Sequence, residues 1–201
     1  MNAAAKTLVL ASASSARALV LEQAGIAFRR DPADVDEDIL KARYRYTESV
    51  DTVALALSEA KAGAVSVRHP GAWVIGADQM LVCDGRWFDK PKDKAEARAH
   101  LLALRGRSHD LISAVCAVRD GAVAWRHVER TTMTMIPFSD AFLEKYMQDA
   151  GPEVLESVGA YRLEGRGARL FSEIDGDYFT ILGLPLLPLL AFLRETGVIE
   201  V

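Results

Sequence analysis

Cysteine is scarce: Cys83 and Cys116 are the only two in 201 residues, and no CxxC spacing occurs. A disulfide framework and a CxxC zinc site are thereby excluded, and the pair reads as two reduced core thiols of a cytoplasmic protein. Positive charge is not in excess either. Lys and Arg number 24 against 28 Asp and Glu, a formal charge of −4, which argues against a protein that coats a nucleic acid polymer through its overall field. No apolar run reaches the roughly 20 residues of a membrane span. The greasiest stretch, 181–193, is interrupted by Pro185 and Pro188. The run at 7–11, preceded by Lys6, is too short for the apolar region of a signal peptide and leads straight into Ser and Arg, so it reads as a first strand. Repeats, low-complexity segments and Pro/Gly/Ser-rich linkers are absent. So are the GxxxxGK[ST], HExxH and GxSxG motifs; Gly165-Arg166-Gly167 is only a fragment of a glycine pattern. His69, His100, His109 and His127 are scattered and read as surface or hydrogen-bonded side chains rather than ligands.

What is present is a globular composition, 50% hydrophobic and 26% charged, which excludes a disordered chain. The length suits a single domain, 1–201, with room for two lobes, and a chain of this size buries roughly 70% of its unfolded surface. Strand-like and helix-like segments alternate. A strand at 8–11 is followed by a helix capped from Ser12–Ser15 and stopped at Gly25. Val50, Val53, Ala54, Leu57 and Ala60 recur at helical spacing, predicting a helix over 47–64. Strands are expected at 73–77, 80–83 and 86–88, the last two flanking Asp84-Gly85, a dipeptide suited to a type I′ turn. Asp93 with Glu96 forms a capping box for a helix ending near Gly106. A hairpin turns at Asp120-Gly121 between 111–118 and 122–128, and 131–136 continues in extended form. Ser139 caps a helix, Asp175-Gly176 joins two more strands, and Pro185 opens a last helix ending at Gly197. Hairpins among helices predict an α/β fold with a mixed sheet.

Polar residues at the ends of apolar elements are the candidates for chemistry. Ser12, Ser14 and Arg17 lie where the first strand gives way to the first helix, which reads either as an anion site or as an ordinary helix cap with a surface Arg. Asp34, Asp36, Glu37 and Asp38 form an acidic loop, either solvated or donating a carboxylate to a hard cation such as Mg²⁺. Asp78 falls between two apolar strands, where a carboxylate either forms a turn or is put to use. Lys61 and Lys90 are each solvated or turned to an anion. Two lysines, an arginine, helix-start serines and at least two carboxylates together match what a triphosphate and its metal require.

The segments LVLASASSARALVLEQAGIAF, DVDED, LSEAKA, VIGADQMLVCDG and DKP, in this order, resemble the Maf family of nucleotide pyrophosphatases. The likeness continues through LRGRSHDLISAV and VGAYRLEGRGARLFSEIDGDYFTILGLP, nearly the whole chain. It implies a single elongated α/β domain of the Maf/ITPase-like kind: a mixed central sheet, helices on its faces and a cleft between two lobes, commonly as a homodimer. It also implies hydrolysis of nucleoside triphosphates to monophosphate and pyrophosphate with a divalent metal cation, Mg²⁺ or Mn²⁺, and the family is associated with septum formation. Carried over by position, Asp78 matches the catalytic carboxylate that also touches the metal, and Glu37 the acidic position near metal and phosphates. Lys61 and Lys90 match the phosphate-facing lysines; Ser12, Ser14 and Arg17 match the phosphate-binding opening. Relatives carry Pro-Arg-Arg or Pro-Trp-Arg after the second serine, whereas Ser15-Ala16-Arg17 stands here, which leaves a small Ala16 at the position tied to base selection. Gln79 and Glu164 resemble the 7-methyl-GTP branch and would read the base edge. On this reading Lys61, Lys90, Arg17 and the metal neutralise the phosphates. The Asp78 pKa stays low beside that charge, so that orienting the water matters more than basicity. The alternatives are a 7-methyl-GTP-specific enzyme and a nucleotide-binding regulator of septum formation with little turnover.

Overall fold

The computed structural model describes residues 7–45 and 47–200; Lys6 lies outside them. Seven strands form one mixed sheet: β1 (Leu8–Leu10), β2 (Arg29–Arg30), β3 (Trp73–Cys83), β4 (Arg86–Phe88), β5 (Ser108–Arg119), β6 (Ala122–Met135) and β7 (Phe171–Asp175). The order is β2-β1-β3-β5-β6-β7, with β4 paired to β3. β1 runs parallel to both β2 and β3, while β3/β4 and β6/β7 are antiparallel, so the expected mixed α/β sheet is found. The helices are α1 (Ser15–Gln23), α2 (Glu37–Tyr44), α3 (Val50–Ser66), α4 (Lys94–Leu104), α5 (Asp140–Ala150), α6 (Tyr178–Ile181) and α7 (Leu186–Glu195). Among the described residues no helix is long and apolar enough to cross a membrane.

The expected N-caps are found, except that the Glu96 side chain of the capping box accepts from Lys92 N at 2.8 Å. Ser14, Asp93 and Ser139 accept a hydrogen bond from the backbone N–H three residues on, which satisfies an otherwise orphaned donor in α1, α4 and α5. Asp84 and Gly85, like Asp120 and Gly121, adopt consecutive positive φ, the signature of the type I′ turn. Four expectations need correction. The strand over 73–83 is continuous, with Asp78 inside it and not at a turn, its charge paired by Lys61 from α3. β6 likewise runs unbroken through 129–131. The acidic stretch is half helix: Asp36 accepts from Ile39 N at 3.1 Å and starts α2. Finally, Asp175-Gly176 ends β7 but leads into α6, since Asp177 caps the next turn through Thr180 N at 3.0 Å.

The chain separates into two compact units. The first comprises the described residues up to Asp78, Ser113–Glu129 and the residues from Leu182 on; the second comprises Gln79–Ile112 and Arg130–Ile181. The chain changes unit at four points, so neither is one continuous segment. The first unit packs Val9, Val74, Ala62, Val65 and Cys116 into one buried cluster. The second is built on Leu81, Leu101, Leu111, Met133, Leu143 and Tyr161. Cys83 and Cys116 are both free and buried, as expected.

Candidate active site

The site grows out of one close approach in the first unit. A Cβ added to Gly76 would sit 2.0 Å from the Ser58 carbonyl oxygen and 2.8 Å from Ala62 Cβ, so α3 rests against β3 at a distance only glycine permits. That contact places Lys61, on α3, beside Asp78, two residues along β3. Lys61 Nζ lies 2.6 Å from Asp78 Oδ1 and 2.8 Å from Glu37 Oε1, one ammonium held by two carboxylates. Glu37 is the first residue of α2, where the helix N-terminus favours negative charge, and Lys41 one turn on lies 3.6 Å from its other oxygen.

Asp78 is only 4% exposed, and its Oδ2 has no hydrogen-bond partner. Burial pushes the Asp78 carboxyl above the ordinary Asp range, against the opposing pull of Lys61 and Arg17. In the buried strand, desolvation outweighs the pull of these two cations. Burial also works to raise Glu37, but it is less deeply placed, and Lys61 holds it below its ordinary range.

The loop between β1 and α1 is bonded to itself and to its neighbours. Ser12 Oγ accepts from Ser14 N and from Arg17 Nη1, both at 3.2 Å, while Ser14 Oγ caps α1. Arg17 Nη1 also donates to Ala77 O at 2.9 Å, and its Nε donates to Gly183 O at 2.8 Å. Arg30 donates to the carbonyls of Ser12 and Ala13, bracing the same loop from β2. Ala16 is half-buried on α1 and offers no polar atom.

Ion pairs thus join Glu37, Lys61 and Asp78, and Arg17, bonded to Ser12, is tied to them through the Ala77 carbonyl next to Asp78, with Ser14 at the edge. Asp34 and Asp38 are exposed outside this group. Gln79, Lys90 and Glu164 belong to the second unit. Gln79 Nε2 donates to Thr180 O and Ile181 O, each at 3.0 Å. Glu164 accepts from Arg162 Nε at 2.8 Å, and Lys90 is exposed after β4. Sequence reasoning missed Arg30 and the carbonyls of Ala77 and Gly183. Every residue carries a carbonyl, so only the glycine at 183 offered any signal.

Among the described residues no group of three or more His, Cys, Asp or Glu side chains could hold a metal. The two carboxylates, brought together on the Lys61 ammonium, suit a Mg²⁺-like ion that completes its shell with substrate phosphates and water.

Comparison with known proteins identifies the family. The family model described as "Maf-like protein" matches residues 7–196. A protein of Paramagnetospirillum magneticum named nucleoside triphosphate pyrophosphatase is 58% identical over 94% of this chain and 98% of its own. Another of that name, from Granulibacter bethesdensis, is 52% identical over 94% and 96%. A Rhizobium etli protein named 7-methyl-GTP pyrophosphatase is 49% identical over 96% and 98%. With a match across almost its full length, the chain belongs to the family of Maf-like proteins.

Proposed function

We propose that this protein hydrolyses nucleoside triphosphates at the α–β phosphoanhydride, releasing nucleoside monophosphate and pyrophosphate. The observation that carries the reading is Asp78, a buried carboxylate with one oxygen bound to Lys61 and the other without a partner. A base for water needs that arrangement: one oxygen fixes the side chain and the other receives the proton. Water oxygen bonds to the α-phosphorus, its proton passes to Asp78 Oδ2, and the bond from the α-phosphorus to the bridging oxygen breaks, with both electrons leaving on pyrophosphate. Lys61 and Lys90 supply positive charge to the phosphates, and Ser12 and Ser14 stand at the helix start where anions are favoured. Glu37 and Asp78 would hold a divalent cation, Mg²⁺ or Mn²⁺, which supplies neutralisation of the departing pyrophosphate. Gln79, Glu164 and Ala16 are assigned to the base end.

The test is pyrophosphate release from UTP, dTTP, CTP, GTP and 7-methyl-GTP, with Mg²⁺, with Mn²⁺ and with chelator. Equimolar monophosphate and pyrophosphate are expected from at least one substrate. Orthophosphate as the product, or binding without turnover across the panel, overturns the reading, and the latter favours the nucleotide-binding regulator. Because a relative at 49% identity is named for 7-methyl-GTP, strong preference for that substrate is the second reading, which the ranking decides. A homodimer and a cytoplasmic location go with the same proposal; sedimentation equilibrium and fractionation test them.

A further inference from the structure

We infer that Arg30 is a positioning residue for substrate binding: from β2 it turns the peptides of the β1–α1 loop so that their N–H groups, and not their carbonyls, face the phosphates. This rests on the pyrophosphatase reading above. The warrant is the pair of acceptors that Arg30 takes. Its Nε donates to Ser12 O at 3.0 Å and its Nη2 donates to Ala13 O, so one guanidinium bridges two consecutive carbonyls. The N–H groups of a guanidinium form a rigid planar fork, which fixes both peptides at once. These peptide bonds are trans, and in a trans peptide the carbonyl and the following N–H point opposite ways. With both carbonyls drawn toward β2, the N–H groups of Ala13 and Ser14 face away from Arg30. Ser14 N accordingly reaches Ser12 Oγ at 3.2 Å, the hydroxyl that also meets Arg17. A loop at a helix start welcomes an anion only when its donors face it, since carbonyl oxygens turned the same way would repel phosphate oxygens.

Arg30 is itself held in place. β2 is two residues long, and Arg30 pairs with Leu10 in its ladder with β1. The next residue is fastened from two sides. Asp31 N donates to Leu10 O at 3.1 Å, and the Asp31 carboxylate accepts from Arg68 Nε at 3.0 Å and Arg68 Nη2 at 2.9 Å, with His69 Nε2 at 2.7 Å. Arg68 and His69 stand just past the C-terminal end of α3. The helix that carries Lys61 therefore also anchors the strand that carries Arg30, and the loop is set from the same element as the ammonium.

The experiment compares wild type with Arg30→Ala, Arg30→Lys and Asp31→Ala in the intact chain. It reads amide exchange of Ser14, Arg17 and Ala18 by NMR without substrate, and kcat and KM for the preferred nucleotide of the panel. Arg30→Ala is expected to raise KM about 10-fold with kcat within about 3-fold, because the loop holds the phosphates alike before and during cleavage. The same three amides exchange about 10-fold faster in that variant. Arg30→Lys keeps the charge and loses the fork, so KM stays raised by more than about 3-fold. Asp31→Ala, which leaves Arg30 intact, moves KM and exchange in the same direction by about 3-fold. A raised KM with unchanged exchange makes Arg30 a ligand of the substrate and overturns the inference. Faster exchange with normal KM reduces the contact to a brace of the loop, and full recovery of KM in Arg30→Lys leaves only its charge; either result overturns it equally. Silence of the wild type with every nucleotide defeats the pyrophosphatase reading, and the binding role goes with it. Turnover in the wild type with Arg30→Ala unchanged defeats this inference alone.

Discussion

Asp78 illustrates how one side chain can serve as anchor and reagent together. Asp78→Asn keeps the shape and removes the proton acceptor, so nucleotide binding should persist while kcat falls by about 10²–10⁴-fold, the range of a lost general base. Circular dichroism and calorimetry check the first part and pyrophosphate release the second; near wild-type turnover would remove Asp78 from the chemistry. His109 offers a stability test far from that chemistry. It is 2% exposed, its Nε2 lies 2.7 Å from Tyr161 Oη, and its Nδ1 has no hydrogen-bond partner. Burial pulls its pKa down from 6.5 to about 4. The folded protein therefore keeps the imidazole neutral at pH values where the unfolded chain has already bound a proton. The stability it contributes is full above pH 6.5 and is lost as pH falls toward 4, about 3 kcal/mol in all. Urea midpoints at pH 7 and pH 4.5 should differ less in His109→Gln than in wild type; equal differences would refute the assignment.

At the scale of elements, the contact of α3 with β3 controls the geometry of the cluster. Gly76→Ala has to push α3 away, because its new methyl meets the Ser58 backbone rather than a movable side chain. A cost of about 3 kcal/mol is expected, lowering Tm by roughly 10 °C. Thermal unfolding reads that cost, and turnover should fall with it as Lys61 moves off Asp78. Elements whose signals were local were legible in the sequence: α3, the caps of α1 and α4, and the paired Asp-Gly turns each depend on residues within a few positions. The residues of the cluster were legible too, but only as a set matching a triphosphate, and their roles came from the resemblance. What was hidden depended on tertiary context. Asp78 broke the apolar run and suggested a turn, yet Lys61 offsets its charge from another element and the strand continues. α2 carries no buried residue at all, so periodicity had nothing to show, and only its Asp36 cap marks where it starts. Replacing that cap, Asp36→Ala, should cost about 1 kcal/mol in denaturant unfolding. It should also loosen Glu37 from Lys61.

At the scale of the molecule, the first unit is assembled from three stretches of chain with the second unit's sequence lying between them. Arg17 and Gly183 are 166 residues apart. At about 5–20 residues per second, a growing chain carries Arg17 for roughly 10–30 s before its partner carbonyl has been synthesised. Contacts so distant in sequence also slow folding, since the loop must close before they contribute anything. In refolding followed by pulsed hydrogen exchange, protection of α1 should arise in the same phase as protection of α7. An α1 protected well ahead of α7 would contradict this order. A polypeptide still being translated accordingly carries Ser12, Glu37, Lys61 and Asp78 before the Gly183 carbonyl that anchors Arg17 exists.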